Sequence, residues 1–468
     1  MRKGAAVGSS IVLIIIFVTL LLTTVDALGA KYFDGDPFDD EPLAFRLPGF
    51  FIAEVPGPHP IDFLTISIIG IILVGIGSVI LETLSDLRLL NPEYLELDLN
   101  LQPGPLNSMT IIVVVPAHNE ADNLPVTLPA LMQQTRPPDR IIVVADNCTD
   151  ETAAVARSLG AEVIETVDNA NRKAGALNQA FSQLRRSETS SDIYLVLDAD
   201  TSLSPQFLDV AEHYLAGHDE IFAIGGLFYG EPGHGLIGQL QRNEYFRYQL
   251  QIKHRRGRVF VLTGTASVFR AQALLGVAQA RGNLIPGNQG EVYDSASITE
   301  DNELTIALKS LGLGMISLQE CTVETELMPT WSTLWTQRKR WQRGALDNLA
   351  EYGVTTATAR YWGQQLGIAY GVVALFSAYF FLIVASLAME YVHLYIFWLV
   401  VTTIFIIDRV GTVWAGGWSA RLVAAPLVIE VAYSFFLQLN FISSLIDLVR
   451  RKKQKWGHLP SPAGVDRS

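Results

Sequence analysis

The sequence predicts a mostly parallel α/β domain held between two apolar, membrane-directed ends. Strand-length β-branched runs alternate with helical patterns between about Gly104 and Met328. Such alternation builds a parallel sheet with helices on both faces. The apolar residues, 49% of the chain against 17% charged, pile up at the two ends. At 468 residues the chain has room for a core of about 250 residues plus membrane spans.

The elements follow in order. Ile11 to Leu28 is an apolar run after Arg2 and Lys3, broken only by Asp26, and Ile61 to Leu81 is a second. A span takes about 20 apolar residues, so residues 1–103 read as a membrane hairpin. The alternative for the first run is a signal peptide cleaved near Ala27-Leu28-Gly29. The intervening loop is acidic (Asp34, Asp36, Asp39, Asp40, Glu41) and is expected outside. Basic flanks place the N-terminus and the chain near Arg88 in the cytoplasm.

Residues 104–328 form the expected cytoplasmic domain. Thr110 to Val115, Arg140 to Ala145, Glu162 to Glu165 and Asp192 to Leu197 are strands. Asp122 to Gln134, Thr149 to Leu159 and Ala174 to Leu184 are helices, the second stopped by Gly160. Ligands of such sheets bind beyond the carboxyl ends of the strands. Pro116, Asp146 and Asp198 each fall just past such an end, which groups them into one site.

Residues 329–360 read as interfacial helices and 361–447 as a second membrane block. Gly367 to Met389 and His393 to Ile407 are expected spans, joined by a turn at Glu390-Tyr391. Leu422 to Leu445 carries Glu430, Gln438 and Asn440, costly in a bilayer unless they face protein. Arg450, Arg451, Lys452, Lys453 and Lys455 follow, in a basic cytoplasmic tail (448–468). The positive-inside rule then favours an interfacial or re-entrant helix over a fifth span. The expectation is a multi-pass cell-membrane protein with its catalytic domain in the cytoplasm. A net charge of −13 argues against a nucleic-acid partner. The basic clusters near Lys339 and Arg450 suit anionic headgroups of the lipid bilayer, or are simply solvated. Cys148 and Cys321, the two cysteines, are expected as packed thiols without disulfide or zinc.

Short motifs carry the chemistry. Pro116-Ala117-His118-Asn119-Glu120 offers backbone and small polar groups to a base and ribose, or forms a capped turn. Asp146 can accept from a uracil N3–H or ribose hydroxyls, with helix capping as the alternative. Arg172 and Lys173 open a helix, where a cation and free N–H groups suit a diphosphate or form a solvated pair. Asp198-Ala199-Asp200 ends an apolar strand. Its two carboxylates can approach one hard cation, Mg2+ or Mn2+, which bridges to phosphate oxygens; an acidic turn is the alternative. Thr299-Glu300-Asp301 precedes an amphipathic helix (Leu304, Ala307, Leu308, Leu311), with Thr299 as its cap. A carboxylate there acts as general base if an acceptor hydroxyl comes within hydrogen-bond reach, although an acidic first turn is the commoner meaning.

Gln337, Arg340 and Trp341 share one helical face by their spacing. Arginine clamps a diphosphate, the indole stacks on a sugar or base, and glutamine orients a hydroxyl. Lys339 and Arg343 are expected to point elsewhere, toward headgroups. An interfacial aromatic helix accounts for Trp331 and Trp335 without requiring that shared face. Gly264 to Phe269 is expected as a loop near the acceptor, with Gly264, Thr265, Thr299 and Trp341 as acceptor contacts. Tyr245, Phe246 and Tyr248 line a sugar path or pack in the core.

Asp146, Asp198-Ala-Asp200, Thr299-Glu-Asp301 and Gln337-x-x-Arg340-Trp341, in this order over roughly Thr110 to Gly344, resemble the processive members of glycosyltransferase family 2. These are the hyaluronan, cellulose, chitin and poly-N-acetylglucosamine synthases, and the membrane layout is most similar to the last. The resemblance implies a GT-A fold, a Rossmann-like sheet embedded between transmembrane helices. It implies that Asp146 holds uridine and that Asp198 and Asp200 hold the UDP diphosphate, Asp200 through the metal. Asp301, beside Glu300, would be the base of an inverting single displacement. Gln337, Arg340 and Trp341 would close over diphosphate and acceptor.

The function this implies is transfer from a UDP-sugar, UDP-N-acetylglucosamine first among candidates, to a growing β-linked polysaccharide. The alternative is addition of one sugar to a polyprenyl-phosphate lipid. Enzymes of that kind generally lack Gln-x-x-Arg-Trp, while the few C-terminal spans favour it. A non-catalytic nucleotide- or glycan-binding subunit is expected to have lost Asp301 or the Asp-x-Asp pair, and both are intact. The pattern leaves room for an accessory subunit.

Overall fold

The computed structural model describes residues 44–46, 52–54, 109–185, 191–388 and 396–450. The expected spans 11–28 and 61–81, the acidic loop, the turn at Glu390-Tyr391 and most of the basic tail lie outside these residues. The chain divides into two compact units, Met1–Pro92 with Val354–Thr402, and Glu93–Gly353 with Thr403–Ser468. The first contains two short antiparallel strands, β1 (Ala44–Arg46) and β2 (Ile52–Glu54), and the helix Ala359–Ala388.

The second unit holds the α/β domain. Strands β3 (Thr110–Ala117), β4 (Arg140–Ala145), β5 (Glu162–Glu165) and β6 (Asp192–Leu197) form where the apolar runs predict. One boundary moves. Pro116 and Ala117 belong to β3 and pair with Val144 and Ala145 of β4, so Pro116 lies within the strand. Proline lacks only the N–H donor, a small loss at the strand's last turn of pairing.

Three later strands complete the sheet: β8 (Ile221–Gly225), β10 (Ala266–Arg270) and β11 (Gly314–Ile316). The order is β11-β8-β10-β6-β3-β4-β5. All neighbours are parallel except β10, which runs antiparallel to both β6 and β8. The segment expected as a loop from Gly264 to Phe269 is therefore a loop only at Gly264 and Thr265. Ala266 to Arg270 are buried strand residues, in register with Leu197 to Ile193. A small second sheet joins β7 (Ser202–Leu203), β12 (Thr322–Thr325) and β9 (Leu227–Gly230).

Helices cover both faces. On one side Ile111, Val113 and Val115 of β3 pack with Leu124, Leu128 and Leu131 of α1 (Leu124–Met132), and with Phe207 and Leu208, which open a helix further along the chain. On the other, Ile112 and Val114 pack with Leu177, Ala180 and Phe181 of the helix that follows β5. Burial on both faces explains the unbroken apolar runs of β3 and β6. Each such Leu, Ile or Phe side chain contributes about 1.5–3 kcal/mol.

The remaining helices are α2 (Thr152–Ser158), α3 (Arg172–Leu184), α4 (Phe207–Gly217), α5 (Gly235–His254), α6 (Ala271–Ala280), α7 (Glu300–Ser310) and α8 (Trp331–Tyr352). Helix α2 starts three residues later than its pattern suggests. Asp150 accepts from both the N–H (3.1 Å) and the hydroxyl (2.5 Å) of Thr152, a local turn that competes with helix.

The expected spans 367–389 and 393–407 fall largely in the helices Ala359–Ala388 and Ile396–Thr412. Among the described residues, Leu427–Val449 is the one helix long and apolar enough to cross a membrane by length and composition. It lies along α8, and its polar residues face protein. Glu430 pairs with Arg247 of α5 at 2.7 Å, and Asn440 donates to the Trp335 carbonyl at 2.8 Å. Lys339 pairs with Asp447 of this helix at 2.6 Å, and Arg343 is buried against Asp347 at 2.8 Å. Both cations therefore meet carboxylates of this chain where headgroups were expected: Lys339 because α8 packs against this helix, and Arg343 because Asp347 stands one turn along α8 itself.

Candidate active site

The loops after β3 and β4 are stitched together. The Asp146 N–H donates to the Ala117 carbonyl at 2.8 Å, and Asn119 Oδ1 takes the Thr149 N–H at 2.8 Å. Asn119 (φ +59°) and Asn147 (φ +49°) turn the chain in the left-handed region, which asparagine tolerates best after glycine. Asp146 is buried, and its Oδ1 accepts from Thr166 (2.8 Å) and Asn169 (2.7 Å). It does not cap α2; Asp150 serves that turn. Glu120 accepts from Asn123 at 2.7 Å. Burial pushes its carboxyl up to about 7, reinforced by Asp200 and Asp198 against the Asn123 bond.

Lys173 is the hub. Its Nζ lies 2.5 Å from Asp198 Oδ1, 3.0 Å from the Gly264 carbonyl and 3.5 Å from Glu300 Oε1. Burial disfavours its charge, but Asp198, Glu300 and Asp301 outweigh burial and hold it protonated. The residue before it, Arg172, sits at φ +57°, a strained conformation at the start of α3. One lysine thus faces three carboxylates. Burial pushes Asp198 up to about 6, with Asp200 and Glu300 adding to the effect and Lys173 opposing it. Asp200 is also raised, chiefly by burial, while the Thr201 hydroxyl at 3.1 Å offsets part of the shift. The spacer Ala199 is buried and its carbonyl takes the Thr127 hydroxyl at 2.6 Å.

Asp301 opens α7 against the same cluster. Its Oδ2 accepts the Gly264 N–H at 3.1 Å and its Oδ1 the Asn302 N–H at 2.7 Å. A Cβ at position 264 would stand 3.0 Å from Asp301 Oδ2, so this approach favours glycine. Burial first, then Glu300, raises the Asp301 carboxyl to about 6; Lys173 and Arg340 pull it down. Arg340 of α8 thus acts electrostatically on the Asp301 carboxyl. The structure brings Lys173, Asp198, Gly264, Glu300 and Asp301 into one cluster. Thr265 supports it through its carbonyl, which accepts the Asp198 N–H at 2.9 Å.

Thr299 stands at the N-cap position of α7 but its side chain makes no capping bond. Its hydroxyl instead accepts from Asn348 of α8 at 3.2 Å. Gly344 explains the contact: a Cβ there would fall 2.3 Å from Thr299 Oγ1, so α8 reaches α7 only through glycine. Along α8, Gln337 Oε1 accepts from Arg338 at 2.6 Å, and Trp341 is 39% exposed.

Three contributors have no motif of their own. Asn178 accepts the N–H groups of Val292 and Tyr293 at 2.9 Å each and donates to the Tyr293 carbonyl, anchoring the chain that leads to Asp301. Tyr293 is buried beside Lys173, Glu300 and Asp301, and burial raises its hydroxyl. Asn348 is the third. Only their nearness in sequence to Lys173, the acidic triplet and Trp341 hints at them. Among the described residues no cluster of three or more His, Cys, Asp or Glu groups is arranged to hold a metal ion by itself. Both cysteines are free thiols.

The family model described as "Glycosyltransferase like family 2" matches residues 108–344. This chain belongs to glycosyltransferase family 2. The site residues from Pro116 to Trp341 all lie inside that match, and the α/β domain with its mostly parallel sheet is the GT-A-like core of this family 2 protein. It is 28% identical to the "Probable glycosyltransferase YdaM" of Bacillus subtilis (strain 168) over 249 residues, 50% of this chain and 54% of that protein. It is 24% identical to the "Probable glucomannan 4-beta-mannosyltransferase 1" of Arabidopsis thaliana over 262 residues, 52% of this chain and 44% of that one. Among solved structures, mannosyltransferase PcManGT from Pyrobaculum calidifontis, in complex with GDP-Man and Mn2+, aligns with a TM-score of 0.49 at 15% identity, covering 81% of this chain and 100% of that one. The chain spans about half the length of the curated relatives it matches.

Proposed function

We propose that this protein is a membrane-associated, inverting glycosyltransferase that moves a sugar from a UDP-sugar, with UDP-N-acetylglucosamine as first candidate, to a growing β-linked polysaccharide. Asp301 carries the proposal. It is a carboxylate raised to about 6 by burial and Glu300, ionised at neutral pH and basic enough to take a proton. In this role it removes the acceptor hydroxyl's proton as the oxygen attacks the anomeric carbon. The bond from that carbon to the UDP phosphate oxygen breaks on the opposite side.

The other residues position charge. Thr166 and Asn169 fix Asp146 through Oδ1, which leaves Oδ2 to accept from uracil or ribose. Lys173 and Arg340 meet the diphosphate, and Gln337 and Trp341 close over it and the acceptor. Asp198 and Asp200 fit a hard divalent cation as a pair, since burial raises both carboxyls and a cation favours their ionised forms. Asp198 and Asp200 would be the protein groups that hold it. Mg2+ or Mn2+ held there would supply positive charge against that developing on the leaving UDP.

A second reading, transfer of one sugar to a lipid-linked acceptor, is favoured by the apolar helix Leu427–Val449 lying along α8. Membrane association with the catalytic domain in the cytoplasm belongs to both readings. A donor screen on purified protein decides between them: UDP-N-acetylglucosamine, UDP-glucose and GDP-mannose with Mn2+ or Mg2+, followed by product sizing. A ladder or long polymer is expected, and a single-sugar lipid product sinks the polymerase reading. Asp301→Asn is expected to cut transfer by about 10²–10⁴-fold while UDP binding stays nearly intact. Normal turnover by that variant removes Asp301 from the role of base.

A further inference from the structure

Arg338 is one of the two residues that the spacing Gln337-x-x-Arg340 skips. Its surroundings are not those of a solvated charge. The side chain is 9% exposed and pairs with Glu244 of α5 at 2.5 Å. Its Nη1 donates to Gln337 Oε1 at 2.6 Å, and its guanidinium lies 4.4 Å from the centre of the Trp341 ring. One planar cation therefore touches two of the three motif residues.

The chemistry of that contact is directional. A guanidinium only donates, so the Gln337 amide turns its oxygen to Arg338 and keeps Nε2 to donate elsewhere. The cation over Trp341 restrains the ring, which still leaves 39% of that residue exposed. Glu244 is itself well placed, because Arg247, one turn along α5, pairs with Glu430 of the helix Leu427–Val449 at 2.7 Å. Helix α5 thus holds α8 by a carboxylate and the C-terminal helix by a cation.

We propose that Arg338 is a positioning residue which, held by Glu244, fixes Gln337 as a hydrogen-bond donor and Trp341 as a stacking surface for the nucleotide-sugar and acceptor. This rests on the transferase reading and adds to it a residue that touches no substrate. Lysine keeps the charge but lacks the planar fork that serves three partners at once.

The test uses the full chain in detergent or nanodiscs. Arg338→Lys is expected to lower kcat/KM by about 10–100-fold. Trp341 is read separately by acrylamide quenching, as the difference between each protein and its Trp341→Phe counterpart. It should become more quenchable in Arg338→Lys. In a Gln337→Ala background, Arg338→Lys should cost less than the product of the two single losses, as expected of coupled groups. Wild-type values of both kcat/KM and quenching in Arg338→Lys, or losses that multiply in the double variant, overturn the proposal. If Arg338→Lys fails to fold, Glu244→Gln loosens the same arginine; lower kcat/KM with greater quenching supports the proposal, and wild-type values of both overturn it. Absence of transfer by the wild type sinks the transferase reading alone, since quenching still judges the positioning.

Discussion

Two charge clusters flank the start of α7, and they are built on opposite plans. Around Arg281 and Glu303 every demand is met. Both side chains are 0% exposed, and the guanidinium meets both Glu303 oxygens, at 2.8 and 2.7 Å. Its other N–H groups go to the carbonyls of Val292 and Pro286, and the Tyr352 hydroxyl donates to Glu303. Around Lys173 the demands are unmet: one lysine faces Asp198, Glu300 and Asp301, and the two aspartates are pushed up to about 6. The satisfied cluster anchors α7 at Glu303; the other, at Glu300 and Asp301 on the same helix, leaves negative charge in excess, as the proposed site requires. The difference separates a scaffold from a site more clearly than burial does, because both are largely removed from water.

The largest effect is expected from breaking the satisfied cluster. Arg281→Met leaves Glu303 buried without its cation and should destabilise the protein by about 3–5 kcal/mol, measured by denaturant unfolding. Pairing it with Glu303→Leu should recover part of the loss, since no unpaired charge remains although the Val292 and Pro286 carbonyls and the Tyr352 hydroxyl lose their partners. A cost below about 1 kcal/mol for Arg281→Met alone would mean that the two clusters do not differ in kind.

Lys173→Met breaks the other cluster and should act mainly on chemistry. Transfer is expected to fall by about 10²-fold, with a smaller loss of stability than for Arg281→Met. The pH profile sharpens the point. A general base works ionised, so kcat/KM rises with pH through its pKa. Asp301 stands at about 6 in the wild type partly because Lys173 holds it down. Without the lysine the acidic limb should move to higher pH. A limb that stays in place or moves to lower pH would mean that Lys173 does not govern the base.

Much of the fold was legible because burial on both sheet faces writes itself into sequence as apolar, β-branched runs. Arg140 to Ala145 and Asp192 to Leu197 match their strands end for end, and so does the more exposed edge strand Glu162 to Glu165. Ala266 to Arg270 was missed because an antiparallel strand following a glycine loop carries no helix-strand alternation to reveal it. The acidic motifs were legible as residue types, but their partners were not. Lys173 is far from Gly264 and Glu300 along the chain, and only the fold joins them. Lys339 and Arg343 read as cations directed to headgroups, and Arg338 drew no reading at all, since sequence does not show that α5 and the Leu427–Val449 helix cover α8. Thr299 looked like a cap, yet Gly344 brings Asn348 close enough to donate to its hydroxyl.

The smallest effect tests whether geometry or surroundings sets the worth of an ion pair. Arg140 meets both oxygens of Glu162 at 2.8 Å, nearly the geometry of Arg281 with Glu303. Its side chain is 36% exposed and that of Glu162 is 54% exposed. Water screens this pair and competes for its hydrogen bonds, so Arg140→Ala should cost only about 0.2–1 kcal/mol, measured by denaturant unfolding. The cost should shrink further as salt is raised. Arg140 begins β4, and Asp146 follows that strand's other end, roughly 17–20 Å away at about 3.3 Å per residue. Transfer should therefore be unchanged. A loss above about 2 kcal/mol, insensitive to salt, would place the value of such pairs in their distances and remove burial as the distinction between the scaffold and the surface.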